Sequence, residues 1–165
     1  MKPRVEVIES SRRWRAAPGI KKLVRRAIEA GLQASGVRIL DGAEVSVLLA
    51  DDAEARALNE RWRRVATPTN VLSFPAAARD KIAAAPLLGD IVVAFETAER
   101  EAVEERKTFA DHVAHLVVHG FLHLLGFDHQ SAGEADRMEA REIGALARLG
   151  IADPYASSVA ADAKA

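Results

Sequence analysis

The sequence predicts an α+β fold in which a small mixed β-sheet of about four strands packs with about five helices. Short segments that alternate apolar and polar residues, or that are continuously apolar, indicate strands. Longer segments with apolar residues three and four positions apart indicate helices. These segments are interleaved along 165 residues without a repeat or a linker. We therefore expect one domain over residues 1–155, followed by a flexible tail over residues 156–165.

The chain begins with a predicted strand and a predicted amphipathic helix. Val5 and Val7 alternate with Glu6, as in a strand. Pro18 precedes the helix, and Gly36 lies near its end. The apolar residues with helical spacing are Ile20, Val24, Ile28 and Leu32.

A second strand and a second helix follow. Val45, Val47 and Leu49 alternate with Ser46, as in a strand. Asp51 or Asp52 can cap the next helix at its N-terminus. The apolar residues expected on one side of that helix are Ala55, Leu58 and Trp62. Residues 66–70, ATPTN, are typical of a turn.

The middle of the chain predicts two more strands. Residues 71–74 form one that Pro75 stops, and residues 91–95 form an apolar one. The Ala-rich residues 76–88 are interpreted as a surface loop. Residues 96–106 are strongly charged, so we expect an exposed helix there.

Two helices complete the prediction. One runs from about Phe109 to Leu125 and ends at Gly126, which can adopt the left-handed conformation that terminates helices. Ser131 can cap the last helix, which is expected to run to about Leu149 and to be closed by Gly150.

Composition narrows the classes of function. Hydrophobic residues make up 49% of the chain and charged residues 28%, which is typical of globular proteins. Cysteine is absent, so any metal must be held by imidazole, carboxylate or water. No apolar run reaches the roughly 20 residues that span a bilayer, and the first residues lack the apolar part of a secretory signal. We therefore expect a cytoplasmic protein with no membrane partner.

The net charge of −1 does not indicate a nucleic-acid binder, but the basic residues are clustered. The first 26 residues contain nine of them, and a second group consists of Arg56, Arg61, Arg63 and Arg64. Such clusters can face phosphate groups or can form a solvated helix face.

All five histidines lie between residues 112 and 129, and three of them have the spacing of a metal site. His119 and His123 are one helical turn apart, so both imidazoles can reach one ion. Gly126 permits a bend after which His129 can return as a third ligand. Three protein ligands leave one position open, which is typical of catalytic zinc. We predict one Zn²⁺ per chain, although nickel or another divalent ion suits the same ligands.

Two interpretations remain open for other residues near the site. His112 and His115 lie on the same helical stripe and are expected at the surface or behind the ligands, with His115 as a reserve ligand. Asp128 is either a turn residue or a catalytic residue that orients a histidine or relays protons.

The same histidine spacing occurs in metzincin peptidases, which carry a glutamate directly after the first histidine. Gly120 occupies that position here, so the general base of a peptidase is absent. A metal site of this kind can instead act on a phosphodiester, provided that a cation binds the phosphate. Arg61, Arg63 and Arg64 are the candidates for that role.

Several blocks of the sequence resemble the YbeY endoribonucleases, a family of bacterial rRNA maturation factors. The blocks are HGFLHLLGFDH at residues 119–129, PTNVLSFP at residues 68–75, preceded by Leu58, Asn59, Trp62 and Arg63, and LGDIV at residues 88–92. The similarity extends from about residue 40 to residue 155. One departure is Ala66, where the family commonly has an acidic residue.

The resemblance implies a zincin-like fold and a zinc-dependent endoribonuclease specific for single strands. It implies action in 16S rRNA 3′-end maturation and ribosome quality control, with RNA, the small ribosomal subunit and assembly factors as partners and no role for DNA. The zinc ligands map onto His119, His123 and His129. A functionally important arginine maps onto Arg63, with Trp62 in place of the family's tyrosine.

Two alternatives remain open from the residues. The first is a zinc-stabilised factor that binds rRNA or the ribosome without cleaving it, which the absence of a strong base at Gly120 favours. The second is a peptidase on a similar frame, which Gly120 disfavours.

Overall fold

The computed structural model describes residues 1–63 and 69–156, with the backbone alone described at Arg63. The predicted fold class is confirmed, since four strands form one mixed sheet in the order β1-β2-β4-β3. Strands β1, β2 and β4 are parallel, and β3 pairs antiparallel with β4 at one edge. The strands are β1 (Arg4–Glu9), β2 (Glu44–Ala50), β3 (Val71–Pro75) and β4 (Leu87–Ala94).

Five α-helices accompany the sheet, together with two short 3₁₀ helices at Arg12–Ala16 and Arg79–Ala84. Gly36 ends the first helix in a left-handed conformation, and Asp51 caps the second by accepting the N–H of Glu54. The helices are α1 (Ile20–Ser35), α2 (Asp52–Arg63), α3 (Phe95–Glu104), α4 (Phe109–Leu124) and α5 (Ala132–Arg148). Among the described residues, no helix combines the length and the apolar character needed to cross a membrane.

The two faces of the sheet are covered to different extents. One face packs against α1 and α4, and its apolar residues belong to the large core that includes Val47, Leu49 and Ile91. The other face carries a small cluster around Leu72 and Val92, against which Leu58 of α2 packs. Parallel strands are normally covered on both faces. The second face of this sheet is covered less completely than that.

Two predictions about the middle of the chain are wrong in part. Residues 76–88 are not only a surface loop, because they contain the 3₁₀ helix with Ile82 buried, and β4 already begins at Leu87. The charged helix α3 is not simply exposed, since it buries Ala98 and Ala102. In both segments the buried residues are isolated or small, and they produce little periodic hydrophobic signal.

The second helix also differs from its prediction. Ala55 is buried as expected, and Trp62 lines the same groove as Leu58, but it is 64% exposed. Residues 66–68 of the predicted turn and residues 157–165 of the expected tail lie outside the described residues.

Candidate metal centre

The C-terminal half of α4 brings three histidine side chains together. His119 and His123 lie one turn apart, and their Nε2 atoms are 3.2 Å from each other. The helix ends at Leu124, and Gly126 adopts a φ of +99°, so that the chain bends back and returns His129. One ring nitrogen from each of the three histidines lies within 4.8 Å of the other two. The predicted cluster is therefore present.

The spacing of the His119 and His123 nitrogens fits a tetrahedral metal ion. Two nitrogens bound to zinc at 2.0–2.1 Å with a tetrahedral angle lie about 3.3 to 3.4 Å apart. The Nε2 atoms of His119 and His123 are separated by 3.2 Å, which is close to that distance. The three histidines could therefore hold a metal ion and leave one corner open.

The remaining ring nitrogens of two ligands have hydrogen-bond partners that fix the imidazoles. Nδ1 of His119 lies 3.1 Å from Oε1 of Glu142, and Nδ1 of His123 lies 2.9 Å from the carbonyl oxygen of Phe127. A carboxylate and a carbonyl only accept hydrogen bonds, so each Nδ1–H donates. In the neutral imidazole, Nε2 then carries the lone pair that a metal requires.

The surroundings of His123 favour its neutral form. Burial, together with the neighbouring imidazoles of His119 and His129, lowers its pKa from 6.5 to about 4. At neutral pH the ring is therefore unprotonated before any metal arrives, and it loses no proton on binding.

Glu142 is the functional residue that the sequence prediction missed. It lies on α5, is 1% exposed, and shares its Oε1 between His119 and Nε2 of His115, which is 2.8 Å away. Burial raises the pKa of this carboxyl, but hydrogen bonds from His115 and His119 outweigh burial and lower it from 4.5 to about 2. A buried anion therefore stands directly behind one ligand.

Tyr155 completes the surroundings of Glu142. Its hydroxyl donates to Oε2 of Glu142 over 3.0 Å, and its ring meets that of His115 edge to face. Burial and the nearby carboxylate raise the pKa of Tyr155 well above 10, so the hydroxyl keeps its proton and remains a donor.

The other two histidines of α4 point to carboxylates instead of the cluster. His115, the reserve ligand, is held by Glu142 and lies behind the site. His112 is 3% exposed, and its Nε2 lies 2.9 Å from Oε1 of Glu101. Glu101 also accepts a hydrogen bond from the side-chain amide of Asn70. Both histidines therefore lie behind the cluster, which is one of the two positions expected for them.

A cleft of about 530 Å³ opens over the three histidines, and we call it the metal cleft. Its opposite wall is the edge strand β3 with the residues before it, and Asn70, Val71, Ser73 and Pro75 line this wall. The volume lies within the usual range of ligand sites. The metal cleft is thus a groove between a helix end and a sheet edge.

Gly120 lets α4 approach β3 closely. A Cβ atom there would lie 3.0 Å from Cγ2 of Ile91, 3.1 Å from Oγ of Ser73 and 3.2 Å from Cγ2 of Val71. The Ser73 hydroxyl also donates to the Gly120 carbonyl over 2.9 Å. Even the Cβ of a larger residue would need these side chains of β3 and β4 to move by a few tenths of an ångström, so the absence of a peptidase base has a packing reason.

The structure describes the side chain of only one of the two predicted catalytic residues. Asp128 lines the metal cleft, and its Oδ1 accepts the backbone N–H of His129 over 2.8 Å, which is the behaviour of a turn residue. Arg63 is the last residue of α2, but its side chain, like all of Arg64, lies outside the described part of the chain. Arg61 places its guanidinium 5.4 Å from the ring centroid of Trp62.

Comparisons with known proteins agree with this geometry. The sequence profile of a family described as "Endoribonuclease YbeY" matches residues 8–150. A protein of that name from Methylocella silvestris is 48% identical over 160 residues, which cover 97% of this chain and 90% of the relative. Another from Azorhizobium caulinodans is 49% identical over 152 residues, covering 92% and 96% of the two chains.

A solved structure shares the fold. The solution structure of TM1509 from Thermotoga maritima superposes with a TM-score of 0.54 at 22% sequence identity. The match covers 88% of this chain and 91% of that one. This likeness supports the α+β architecture.

Proposed function

Because the chain belongs to the YbeY endoribonuclease family, we propose that it is a zinc-dependent, single-strand-specific endoribonuclease. We further propose that it acts in the cytoplasm in 16S rRNA 3′-end maturation and ribosome quality control. Its partners in that role are rRNA, the small ribosomal subunit and assembly factors.

One observation supports this function above the others, namely the convergence of His119, His123 and His129 at tetrahedral spacing beside an open cleft. Zinc is the proposed ion because three imidazoles with a free fourth position are typical of catalytic zinc. Such an ion supplies positive charge and Lewis acidity at the phosphodiester.

The protein's own residues have three tasks in this proposal. Glu142 and the Phe127 carbonyl orient the imidazoles so that their Nε2 atoms face the metal cleft. Arg63 is proposed to bind the phosphate and offset its charge, because a guanidinium matches two phosphate oxygens at once. Asp128, at the rim of the cleft, is proposed to position His129 and to carry a proton to or from the reacting group.

Peptide hydrolysis is disfavoured by the packing of Gly120. The position that carries the general base in metzincins is filled here by the contact of α4 with Ile91 and Ser73. Phosphodiester cleavage has no comparable requirement for a carboxylate at that position.

The experiment combines elemental analysis with RNA digestion. Purified protein is expected to contain one zinc per chain and to cleave single-stranded RNA. Chelation, or the substitution His119→Ala, is expected to abolish cleavage, and zinc is expected to restore the chelated wild type. Duplex RNA and single-stranded DNA of the same sequence serve as substrate controls and are expected to stay intact.

Two results would reject the proposal. Undiminished cleavage by a verified zinc-free sample would remove the metal from the chemistry. A nuclease-free preparation that holds zinc and binds ribosomal particles, yet cuts no RNA, would establish the non-cleaving assembly factor instead.

A further inference from the structure

The incompletely covered face of the sheet carries a second groove, of about 480 Å³. We call it the sheet-face groove. Strands β2, β3 and β4 form its floor, and the last turns of α2 form one side. Its apolar lining residues are Ile8, Leu48, Leu58, Trp62, Phe74, Pro75, Ala76 and Val92. Its size is within the range of small-ligand sites.

Trp62 is the most unusual residue of this groove. It is 64% exposed, whereas the other tryptophan, Trp14, is fully buried and donates its indole N–H to the carbonyl of Ala50. The guanidinium of Arg61 lies 5.4 Å from the Trp62 ring centroid, within cation–π range. An exposed indole can stack on a flat aromatic group, and a neighbouring cation can bind a negative charge attached to that group.

The sheet-face groove and the metal cleft adjoin the same edge strand, β3, from opposite faces of the sheet. Pro75 lines both of them. Side chains alternate along β3, so Ser73 faces the metal cleft while Phe74 faces the sheet-face groove. Among the described residues, this edge strand separates the two spaces, and an extended ligand that wraps around it can reach both.

We propose that the sheet-face groove binds unpaired nucleobases of the RNA strand whose phosphodiester lies in the metal cleft. The proposal rests on the proposed function, because the metal cleft has to receive RNA. It assigns to Trp62 the stacking of one base and to Arg61 the neighbouring phosphate.

The chemistry of the groove favours bases over phosphates or peptides. Its floor is apolar, and it contains one carboxylate, that of the exposed Asp90. That carboxylate repels phosphate but can accept hydrogen bonds from base amino groups. The metal cleft across β3 and the Arg61 cation beside Trp62 both favour a polyanion with aromatic groups.

This site accounts for a preference for single strands. Bases in a duplex are stacked and paired, whereas unpaired bases can splay out and stack on aromatic side chains. The loss of Trp62 should therefore weaken the binding of single-stranded RNA and leave the weak binding of duplex RNA unchanged.

Tryptophan fluorescence tests the proposal directly, since Trp62 is exposed and Trp14 is buried. A short single-stranded oligoribonucleotide is titrated into the full chain with chelator present, so that binding is read without cleavage. We expect quenching of the Trp62 emission that saturates. An oligomer with the same ribose-phosphate backbone and no bases is expected to produce little quenching.

Variants test the energetic contribution. Trp62→Ala, read by the fluorescence anisotropy of an end-labelled oligoribonucleotide, should weaken binding between about fivefold and about a hundredfold, the range of base–aromatic stacking. Trp62→Phe should restore most of the affinity, because a smaller ring still stacks. Val103→Ala, at another exposed apolar residue on α3, is the matched control and should bind like the wild type.

Several results would overturn the inference. These are unchanged affinity in Trp62→Ala, equal quenching by the base-free oligomer, or groove occupancy by a ribosomal protein that RNA does not displace. Failure of the nuclease assay would be distinguishable, because base-dependent quenching of Trp62 is measured without any cleavage.

Discussion

Helix α4 carries four of the five histidines, and its two halves use them differently. In the N-terminal half, His112 and His115 point their Nε2 atoms at the carboxylates of Glu101 and Glu142. In the C-terminal half, His119 and His123 turn Nε2 toward each other and use Nδ1 for their hydrogen bonds. One residue type on one helix therefore serves two purposes.

The difference shows that neighbouring elements decide which histidine keeps Nε2 available for a metal. Glu142 accepts Nε2 of His115 but Nδ1 of His119, through the same oxygen. The first contact occupies the nitrogen that a metal would use, and the second leaves it available. The helix supplies the spacing, and α5 supplies the selection.

The strongest test of this difference between the two halves of α4 substitutes one histidine in each half. His123→Ala deletes one of three ligands, so we expect the loss of bound metal and of RNA cleavage. His112→Ala, eleven residues earlier on the same helix, should keep the metal. The side chain of His112 contacts Glu101, which lies behind the site. Elemental analysis and a cleavage assay on both variants measure the contrast. Loss of metal in His112→Ala at intact fold would contradict it.

The shared carboxylate makes a prediction about acid stability. The pKa of Glu142 is lowered from 4.5 to about 2, so its ionised form stabilises the native state above pH 4.5, and this contribution is lost as the pH falls through about 2. The free energy of unfolding of metal-free wild type should exceed that of Glu142→Gln by a margin that narrows by roughly 3 kcal/mol over this interval. Urea unfolding at a series of pH values measures the margin. A margin that stays constant down to about pH 2 would show that the buried carboxylate is not stabilised by its histidines.

The same carboxylate should tune metal affinity. Glu142→Gln removes the charge behind His119, and loss of such an outer partner typically weakens metal binding by about 10- to 100-fold. Competition with a chromophoric chelator measures the dissociation constant. Asp136→Asn, at an exposed carboxylate on the same helix, is the control and should bind metal like the wild type. Equal weakening in both variants would reduce the effect to net charge.

Local spacing was sufficient to predict the cluster of three histidines but not the residues that support it. His119, His123 and His129 lie within one helix end and the bend that follows it, where geometry is set by nearby residues. Glu142 reaches His119 from another helix, 23 positions away. The only local sign of it was a charged residue within the apolar stripe of α5 that includes Met138 and Leu146, and the packing of α5 on α4 decides where that charge lies.

The fold was predictable to a similar depth. Alternation and helical spacing predicted the strands and most helices, and Gly36, Gly126 and Gly150 ended their helices as expected. The early start of β4 was not predictable, because Leu87 pairs with Glu44 far away in sequence. The insertion of β4 between β2 and β3 likewise depends on pairing between distant segments.

The smallest expected effect comes from a substitution at the outer edge of the hydrogen-bond network behind His119. Tyr155→Phe removes the hydroxyl that donates to Oε2 of Glu142 and leaves the ring against His115. A hydrogen bond to an ionised carboxylate contributes about 1.5 to 3 kcal/mol to stability, and because only part of that reaches the metal through His119, metal should bind less than about tenfold more weakly. In the background of Glu142→Gln, the same substitution should have a smaller effect, because its charged partner is gone. Equal effects in the two backgrounds would show that Tyr155 acts through packing alone and that the network behind His119 ends at Glu142.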